Sequence, residues 1–212
     1  MPTRSGLRVN LAHPEPEQFD IRDIALGLAR ECRYANQLDF HYSVAQHSVI
    51  VARHIDPEFA LDGLLHDASE AYIRDLPSPL KALLPDYKAV ETRIEQAIRV
   101  RFGLSPDSDR RIHDQVKAVD RRVAAAERQD LLPPIANPVP LTEEPWHALD
   151  GIEPIPEAIV PWSYQASFAG FLYMFAQYSD TYVLHPDMTP FVPHELYFDN
   201  EPEPYRERLR CA

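Results

Sequence analysis

The segment LDGLLHDASEAYIRDLPSPLK, residues 61–81, decides the fold class and the chemistry. Its apolar residues recur at helical spacing and predict that its first part is a buried helix. The same helix carries His66, Asp67 and Glu70, so three ionisable side chains converge over one turn. Burying such groups is costly unless something pairs with them. A divalent cation would satisfy all three, because imidazole and carboxylate are its common ligands.

The periodicity on both sides of this segment predicts an all-α fold, a single-domain helical bundle. No convincing alternating strand pattern occurs before residue 133. Asp20 is the expected N-cap of the first helix, Ser43 with Gln46 forms a capping-box pattern, and Ser105-Pro106 is the expected start of a later helix. The predicted helices cover residues 19–34, 43–55, 58–74, 86–104, 105–132 and 165–178.

Three further segments are predicted to lack regular secondary structure, all within the single domain 1–212. Residues 1–18 look like an extended lead-in. Residues 133–161 contain eight prolines, which exclude a regular helix and predict a Pro-rich connector before the last helix. Residues 185–212 are expected to form an extended tail.

The bulk composition excludes several classes of partner. The chain carries 21 Lys and Arg against 33 Asp and Glu, a net charge of −12, which opposes binding to nucleic-acid polymers and to anionic membranes. A small anionic substrate is still compatible, because a metal and a few local cations reverse the field at one site. The two cysteines, Cys32 and Cys211, give no disulfide framework, and no signal peptide or membrane-spanning run occurs, so a cytoplasmic location is expected.

Further metal ligands have to come from other helices. His47 lies among valines in the predicted second helix, and Asp120 follows Val119 on an apolar stripe. Taken alone, a histidine beside valines is more often a hydrogen-bonded core residue. The other His-Asp pair, His113-Asp114, is surrounded by polar residues and is predicted to be a solvated helix face.

Together these residues resemble a known family. His47, then His66-Asp67, then Asp120 on successive helices is similar to the H…HD…D signature of the HD-domain metal-dependent phosphohydrolases. The strings RYANQLDFHYSVAQHSVIVA and LLHDASEAYIRDLPSPLK resemble the branch that contains bacterial 5′-deoxynucleotidases and phage deoxynucleoside triphosphate triphosphohydrolases. The resemblance covers about residues 19–132 and extends loosely to the last helix.

The resemblance implies a role for each candidate residue. His47, His66, Asp67 and Asp120 would hold one divalent metal ion; the ligand types admit Co, Mn, Zn, Fe or Ni, with Mg as a further candidate in a cell. Glu70 would orient or deprotonate the attacking water, or else be a partner of the metal ligand His66 that does not itself bind the ion. Asp75 would be a second catalytic carboxylate, or else an ordinary turn aspartate.

Substrate contacts are implied for Arg33, Tyr34, Lys81 and Lys117. Arg33 matches an arginine that clamps phosphate, which suits its bidentate geometry. Tyr34 departs from the tryptophan that similar 5′-deoxynucleotidases carry, which puts discrimination against ribonucleotides in question. Lys81 and Lys117 are further phosphate cations, or else surface lysines.

The expected activity is therefore metal-dependent hydrolysis of a nucleotide phosphate ester, with deoxynucleoside 5′-monophosphates as substrates. One alternative keeps the site and cleaves a deoxynucleoside triphosphate such as dATP. Another is a non-catalytic nucleotide-binding regulator. A homo-oligomer is expected from the similar proteins.

Overall fold

The computed structural model describes residues 1–134 and 149–196, and these residues form an all-α fold, as predicted. Within them the chain forms helices and two isolated bridges but no strand of a sheet. The helices are α1 (Ile21–Arg30), α2 (Val44–His54), α3 (Ala60–Leu65), α4 (Glu70–Ile73), α5 (Ser78–Ala82), α6 (Pro85–Arg101), α7 (Arg110–Asp130) and α8 (Tyr164–Tyr178).

The main core lies where α8 packs against α1 and α2. Helix α8 is apolar on most sides, and Phe171 and Phe175 are fully buried. They meet Ile24 and Leu28 of α1 and Val49 of α2 in one hydrophobic cluster. Complete burial of side chains of this size contributes about 1.5–3 kcal/mol each. This packing fixes α2, which carries His47, in the centre of the molecule.

A second apolar cluster joins α2 to α7. Val51 packs with Val119 and Val123 of α7, all three buried. The apolar stripe predicted for α7 is therefore real, and it brings Asp120 to the side of α2 that carries His47.

The helix caps agree only in part with the sequence pattern. Asp20 caps α1 by accepting from the N–H of Arg22, and Ser43 caps α2 by accepting from the N–H of Gln46, as predicted. The side chain of Gln46, however, binds the backbone of residues 160 and 162. The predicted cap at Ser105-Pro106 is wrong, because α7 begins at Arg110 with Asp109 as its N-cap.

The single helix predicted over 58–74 is also wrong. The segment divides into α3 and α4, and residues 66–69 between them form turns. The hydrogen bonds of these turns span three residues instead of four, from Ala68 N–H to the Leu65 carbonyl and from Glu70 N–H to the Asp67 carbonyl. The ring Nδ1 of His66 lies 2.7 Å from the Gly63 carbonyl, which an uninterrupted helix would pair with the N–H of Asp67. The histidine and aspartate therefore lie in a break between two short helices.

The terminal segments are folded back more than predicted. The lead-in is not extended throughout: Pro2 pairs with Arg8, and residues 16–18 form a 3₁₀ turn. The tail forms 3₁₀ turns at Pro186–Phe191 and His194–Leu196, which place Leu196 in the core. The connector has no α-helix in its described part, as predicted, while 135–148 and 197–212 lie outside the described residues. Within the described ranges, every helix is too short or too polar to cross a membrane.

Candidate metal centre and its cavity

The break between α3 and α4 meets the first turn of α2, and the predicted histidines come together there. His66 Nε2 lies 3.0 Å from Asp67 Oδ2, and His47 Nε2 lies 3.8 Å from the same oxygen. The two imidazole rings are 5.3 Å apart between centroids. One ligand atom from each of the three residues lies within 4.8 Å of the other two. Such a group could hold a metal ion.

Asp120 reaches the same place from α7. Its Oδ1 lies 3.3 Å from His47 Nε2, and its Oδ2 accepts from Lys117 Nζ at 3.1 Å. Burial would raise the pKa of this carboxyl, but His47 and His66 hold it well below its usual range. An ionised carboxylate is the form that ligates a metal. Asp120 therefore adjoins the group of His47, His66 and Asp67 through its contact with His47.

The other ring nitrogens set the tautomers. His66 Nδ1 faces the Gly63 carbonyl, which can only accept, so Nδ1 carries the proton. His47 Nδ1 lies 2.6 Å from Glu127 Oε1, and the pKa of Glu127 is lowered to about 2, so this oxygen also accepts. Both Nε2 atoms are buried, and although oxygens of Asp67 and Asp120 lie 3.0–3.8 Å away, none of these contacts within the described residues has the geometry of a hydrogen bond. Buried polar atoms are normally paired, so two such atoms facing one carboxylate fit a cation.

The electrostatic surroundings of His47 also favour a cation at this site. Burial and the Arg33 guanidinium oppose a positive imidazole, but Glu127 and Asp120 outweigh them and raise the pKa of His47 to about 9. The surroundings therefore favour a positive charge beside Nε2. A bound ion would take the place of that proton.

A cavity of about 590 Å³ opens beside this cluster. Asp67 and Asp120 form part of its wall, as do the two predicted catalytic carboxylates, Glu70 and Asp75. The cavity is also lined by all four predicted substrate contacts and by eight further residues: Arg33, Tyr34, Lys81 and Lys117, with Ala35, Leu76, Pro77, Ser78, Pro79, Arg121, Ala124 and Leu149.

Glu70 is nearly buried at the start of α4, and its two oxygens differ. Oε1 lies 3.3 Å from Lys81 Nζ, whereas Oε2 is buried without a hydrogen-bond partner among the described residues. Burial raises the pKa of Glu70, and the nearby Asp67 and Asp75 add to the effect. Lys81 is also 2.7 Å from Glu91 on α6, so its ammonium already serves two carboxylates.

Asp75 enters the cavity through an unusual backbone turn. Helix α4 ends at Ile73, its C-cap residue Arg74 has a φ of +80°, and Asp75 follows immediately. A positive φ costs a non-glycine residue about 1–3 kcal/mol. Glu31 holds the turn by accepting from the Arg74 side chain and from the N–H of Asp75.

Arg33 and Tyr34 lie at the cavity but are anchored behind it. Nε and Nη2 of Arg33 and the hydroxyl of Tyr34 all donate to Glu127 Oε2, at 3.2, 2.9 and 2.5 Å. Arg33 Nη1 remains directed toward Asp67, at 4.0 Å. Residues 34–36 have φ values of +57°, +48° and +60°, a left-handed run at the cavity rim.

Glu127 is the residue that sequence reasoning missed. It is fully buried on α7 and accepts five hydrogen bonds, from Arg33, Tyr34, Tyr42 and His47. One signal was available: Glu127 follows Asp120 by seven residues, which is two helical turns along the same face. A buried glutamate after three alanines is otherwise easily mistaken for a surface residue.

Two of the remaining histidines lie outside the site, and the solvated position predicted for His113 is confirmed. His113 is exposed on α7, and His54 ends α2 with its Nε2 2.7 Å from Glu157. Neither contributes to the cavity.

No protein-family model matches the chain. The chain is 43% identical over 129 residues to the uncharacterized protein YfdR of Escherichia coli, in an alignment that spans 58% of this chain and 70% of YfdR. It is 35% identical over 137 residues to an uncharacterized protein of Rhodobacter capsulatus, spanning 60% of this chain and 70% of that protein. With this identity over more than two thirds of YfdR, the chain belongs to the YfdR family.

Proposed function

We propose that this protein is a metal-dependent phosphohydrolase of the HD-domain type that acts on nucleotides, with deoxynucleoside 5′-monophosphates as the substrates. One observation supports this above all. The Nε2 atoms of His47 and His66 face Asp67 without hydrogen-bond partners among the described residues, beside a cavity that also contains Glu70. A binding protein has no need of an additional buried carboxylate next to a metal site, with one oxygen, Glu70 Oε2, left without a hydrogen-bond partner among the described residues.

The shape and charge of the cavity support a nucleotide. Its volume of about 590 Å³ is within the range of small-molecule sites, about 300–1,000 Å³. Cationic side chains line one part, and Ala124 and Leu149 add apolar surface suited to a base or sugar. Arg33 keeps Nη1 toward the metal cluster, where a phosphate oxygen would bind.

The chain's own residues account for the proton transfers. His47, His66, Asp67 and Asp120 would hold the ion, which when bound polarises a phosphoryl oxygen and acidifies a water. Glu70 Oε2 accepts a proton from the attacking water, and the oxygen atom of that water forms a bond to phosphorus. The bond from phosphorus to the 5′ oxygen breaks, and Asp75 donates a proton to that oxygen. Burial raises the pKa values of Glu70 and Asp75 above those of ordinary carboxyl groups, and a raised carboxyl pKa is typical of residues that exchange protons during catalysis.

The cations at the cavity bear on the length of the phosphate chain. Lys81 and Lys117 both line the cavity, which favours the triphosphate alternative, but both are already engaged by carboxylates. Lys81 is paired with Glu70 and Glu91, and Lys117 is paired with Asp120. Arg121 is a further cation at the cavity. A triphosphate carries more charge than a monophosphate, and to bind its additional phosphates the two lysines would have to leave these carboxylates; the monophosphate needs no such exchange.

The test is a substrate panel. Protein reconstituted with Mn²⁺ or Co²⁺ is incubated with ribo- and deoxynucleoside mono- and triphosphates, and released phosphate, pyrophosphate and triphosphate are measured. We expect phosphate from deoxynucleoside monophosphates, no release by chelated protein, and a large loss of rate in Glu70→Gln. Triphosphate release from dATP would favour the triphosphohydrolase alternative. Tight nucleotide binding with no product from any substrate would refute the enzyme and favour the regulator.

A further inference from the structure

Glu127 contacts both the candidate metal ligand His47 and the candidate substrate contacts Arg33 and Tyr34, although it does not line the cavity. Its side chain has no exposed surface, and its two oxygens have different partners. Oε1 accepts from His47 Nδ1 at 2.6 Å and from the Tyr42 hydroxyl at 2.8 Å. Oε2 accepts from Arg33 and from the Tyr34 hydroxyl. One carboxylate therefore joins a candidate metal ligand to two candidate substrate contacts.

We propose that Glu127 is a positioning residue that couples the metal site to the substrate face of the cavity. This inference rests on the proposed metal site and specifies how it is built. Through Oε1, Glu127 fixes the ring orientation of His47 and keeps the proton on Nδ1, so that Nε2 stays available to the ion. Through Oε2, it holds Arg33 and Tyr34 at the rim.

The neighbouring charges leave no substitute for Glu127. Five donors from Arg33, Tyr34, Tyr42 and His47 converge on its two oxygens. A glutamine offers one accepting oxygen and one donating NH₂ group. In Glu127→Gln the amide donor must face either the His47 side or the Arg33 side, and that side loses its acceptor. Asp67 is the only other carboxylate near Arg33 for which the described residues show an ion pair, and its distance to Arg33 is 4.0 Å.

Metal affinity, measured without any nucleotide, is the deciding readout. Mn²⁺ binding is followed by calorimetry, and the visible absorption of Co²⁺ reports the ligand geometry. We expect Glu127→Gln to weaken Mn²⁺ binding roughly 10- to 100-fold, as is typical when the partner of a ligating histidine is removed. The Co²⁺ spectrum should also change, because the His47 ring is no longer held.

Asp62→Asn is the matched control for loss of stability. Asp62 is a buried carboxylate whose Oδ1 accepts from Arg99 at 2.7 Å, so its loss also leaves a partly buried arginine without its charge partner. Within the described residues its side chain forms a hydrogen bond and ion pair with Arg99 and none with either histidine. We expect this variant to melt at a lower temperature and to bind Mn²⁺ with the wild-type affinity.

Two milder variants decide the matter if Glu127→Gln does not fold. Tyr42→Phe removes one donor from Oε1, and Tyr34→Phe removes one from Oε2. Each should weaken Mn²⁺ binding about two- to tenfold, the equivalent of one hydrogen bond, although neither residue is a candidate ligand. In a Glu127→Gln background that folds, the Tyr34→Phe effect should disappear.

The proposal is overturned if Tyr34→Phe and Tyr42→Phe both keep the wild-type Mn²⁺ affinity, or if Asp62→Asn weakens it as much as Glu127→Gln does. A wild-type protein that binds none of the divalent ions also overturns it. Absence of nucleotide hydrolysis with these affinity changes intact would instead refute the proposed activity and leave the role of Glu127 standing.

Discussion

Helices α1 and α4 approach so closely at Gly27 that a methyl group there has no room. A Cβ placed on Gly27 would lie 2.8 Å from the Cβ of Ala71 and 3.0 Å from its Cα and carbonyl oxygen. Ordinary carbon contacts are about 3.5–4.0 Å. The atoms in the way belong to Ala71 of α4, two of them in its backbone, so Gly27→Ala requires α4 to move. Overpacking of this kind costs about 1–3 kcal/mol, while alanine gains about 1 kcal/mol over glycine in a helix.

We therefore expect Gly27→Ala to lower the free energy of unfolding by up to about 2 kcal/mol in urea titrations at constant slope. Ala71 follows Glu70 directly, so the displaced helix should also lower the hydrolytic rate while Mn²⁺ affinity changes less. Adding Ala71→Gly to Gly27→Ala removes the closest contact and should restore part of both losses. A variant more stable than wild type by the full propensity gain would refute the close approach of α1 and α4.

Five other substitutions test the site itself. His66→Ala and Asp67→Ala should each abolish Mn²⁺ binding in calorimetry and hydrolysis with it, whereas Glu70→Gln should keep the ion and lose the rate; full activity in Glu70→Gln would remove its assigned role. Lys81→Met removes a cation that lowers the pKa of Glu70, so the acidic limb of the kcat/KM profile should move to higher pH, and an unmoved limb would contradict the pairing. Burial would raise the pKa of Glu127, but Arg33 and His47 lower it to about 2 from an ordinary 4.5. This lowered pKa should contribute about 3 kcal/mol to the free energy of unfolding of the metal-free protein. The contribution should be complete above about pH 4.5 and be lost as the pH falls through 2, which urea titrations of wild type and Glu127→Gln over this pH range would show.

The helical pattern predicted the fold class because its signals are local. Helical spacing of apolar residues located α1, α2, α6, α7 and α8 to within a few residues, although the start of α7 was wrong. The break after Leu65 was not predictable from periodicity, because a histidine side chain takes over a backbone carbonyl there. A side chain that competes with the helix for a carbonyl leaves no mark on the apolar pattern.

The sequence predicted the residues of the candidate site but not the contacts that hold them in place. The residues that the H…HD…D pattern selects do meet in space, and the carboxylates Glu70 and Asp75 line the same cavity. The double pairing of Lys81 and the position of Glu127 depend on contacts between residues far apart in the sequence, from 10 to more than 90 positions. A single sequence shows no such contacts.

The left-handed run at residues 34–36 carries a consequence for hydrogen exchange. Non-glycine residues adopt such backbone angles at a cost of about 1–2 kcal/mol each, so the rim would relax if its anchor were released. That anchor is Glu127, in the last turns of α7. Amide protons of the rim and of the C-terminal end of α7 should therefore open together with one protection factor, as a single cooperative unit. Unwinding that end of the helix would open the cavity rim as well.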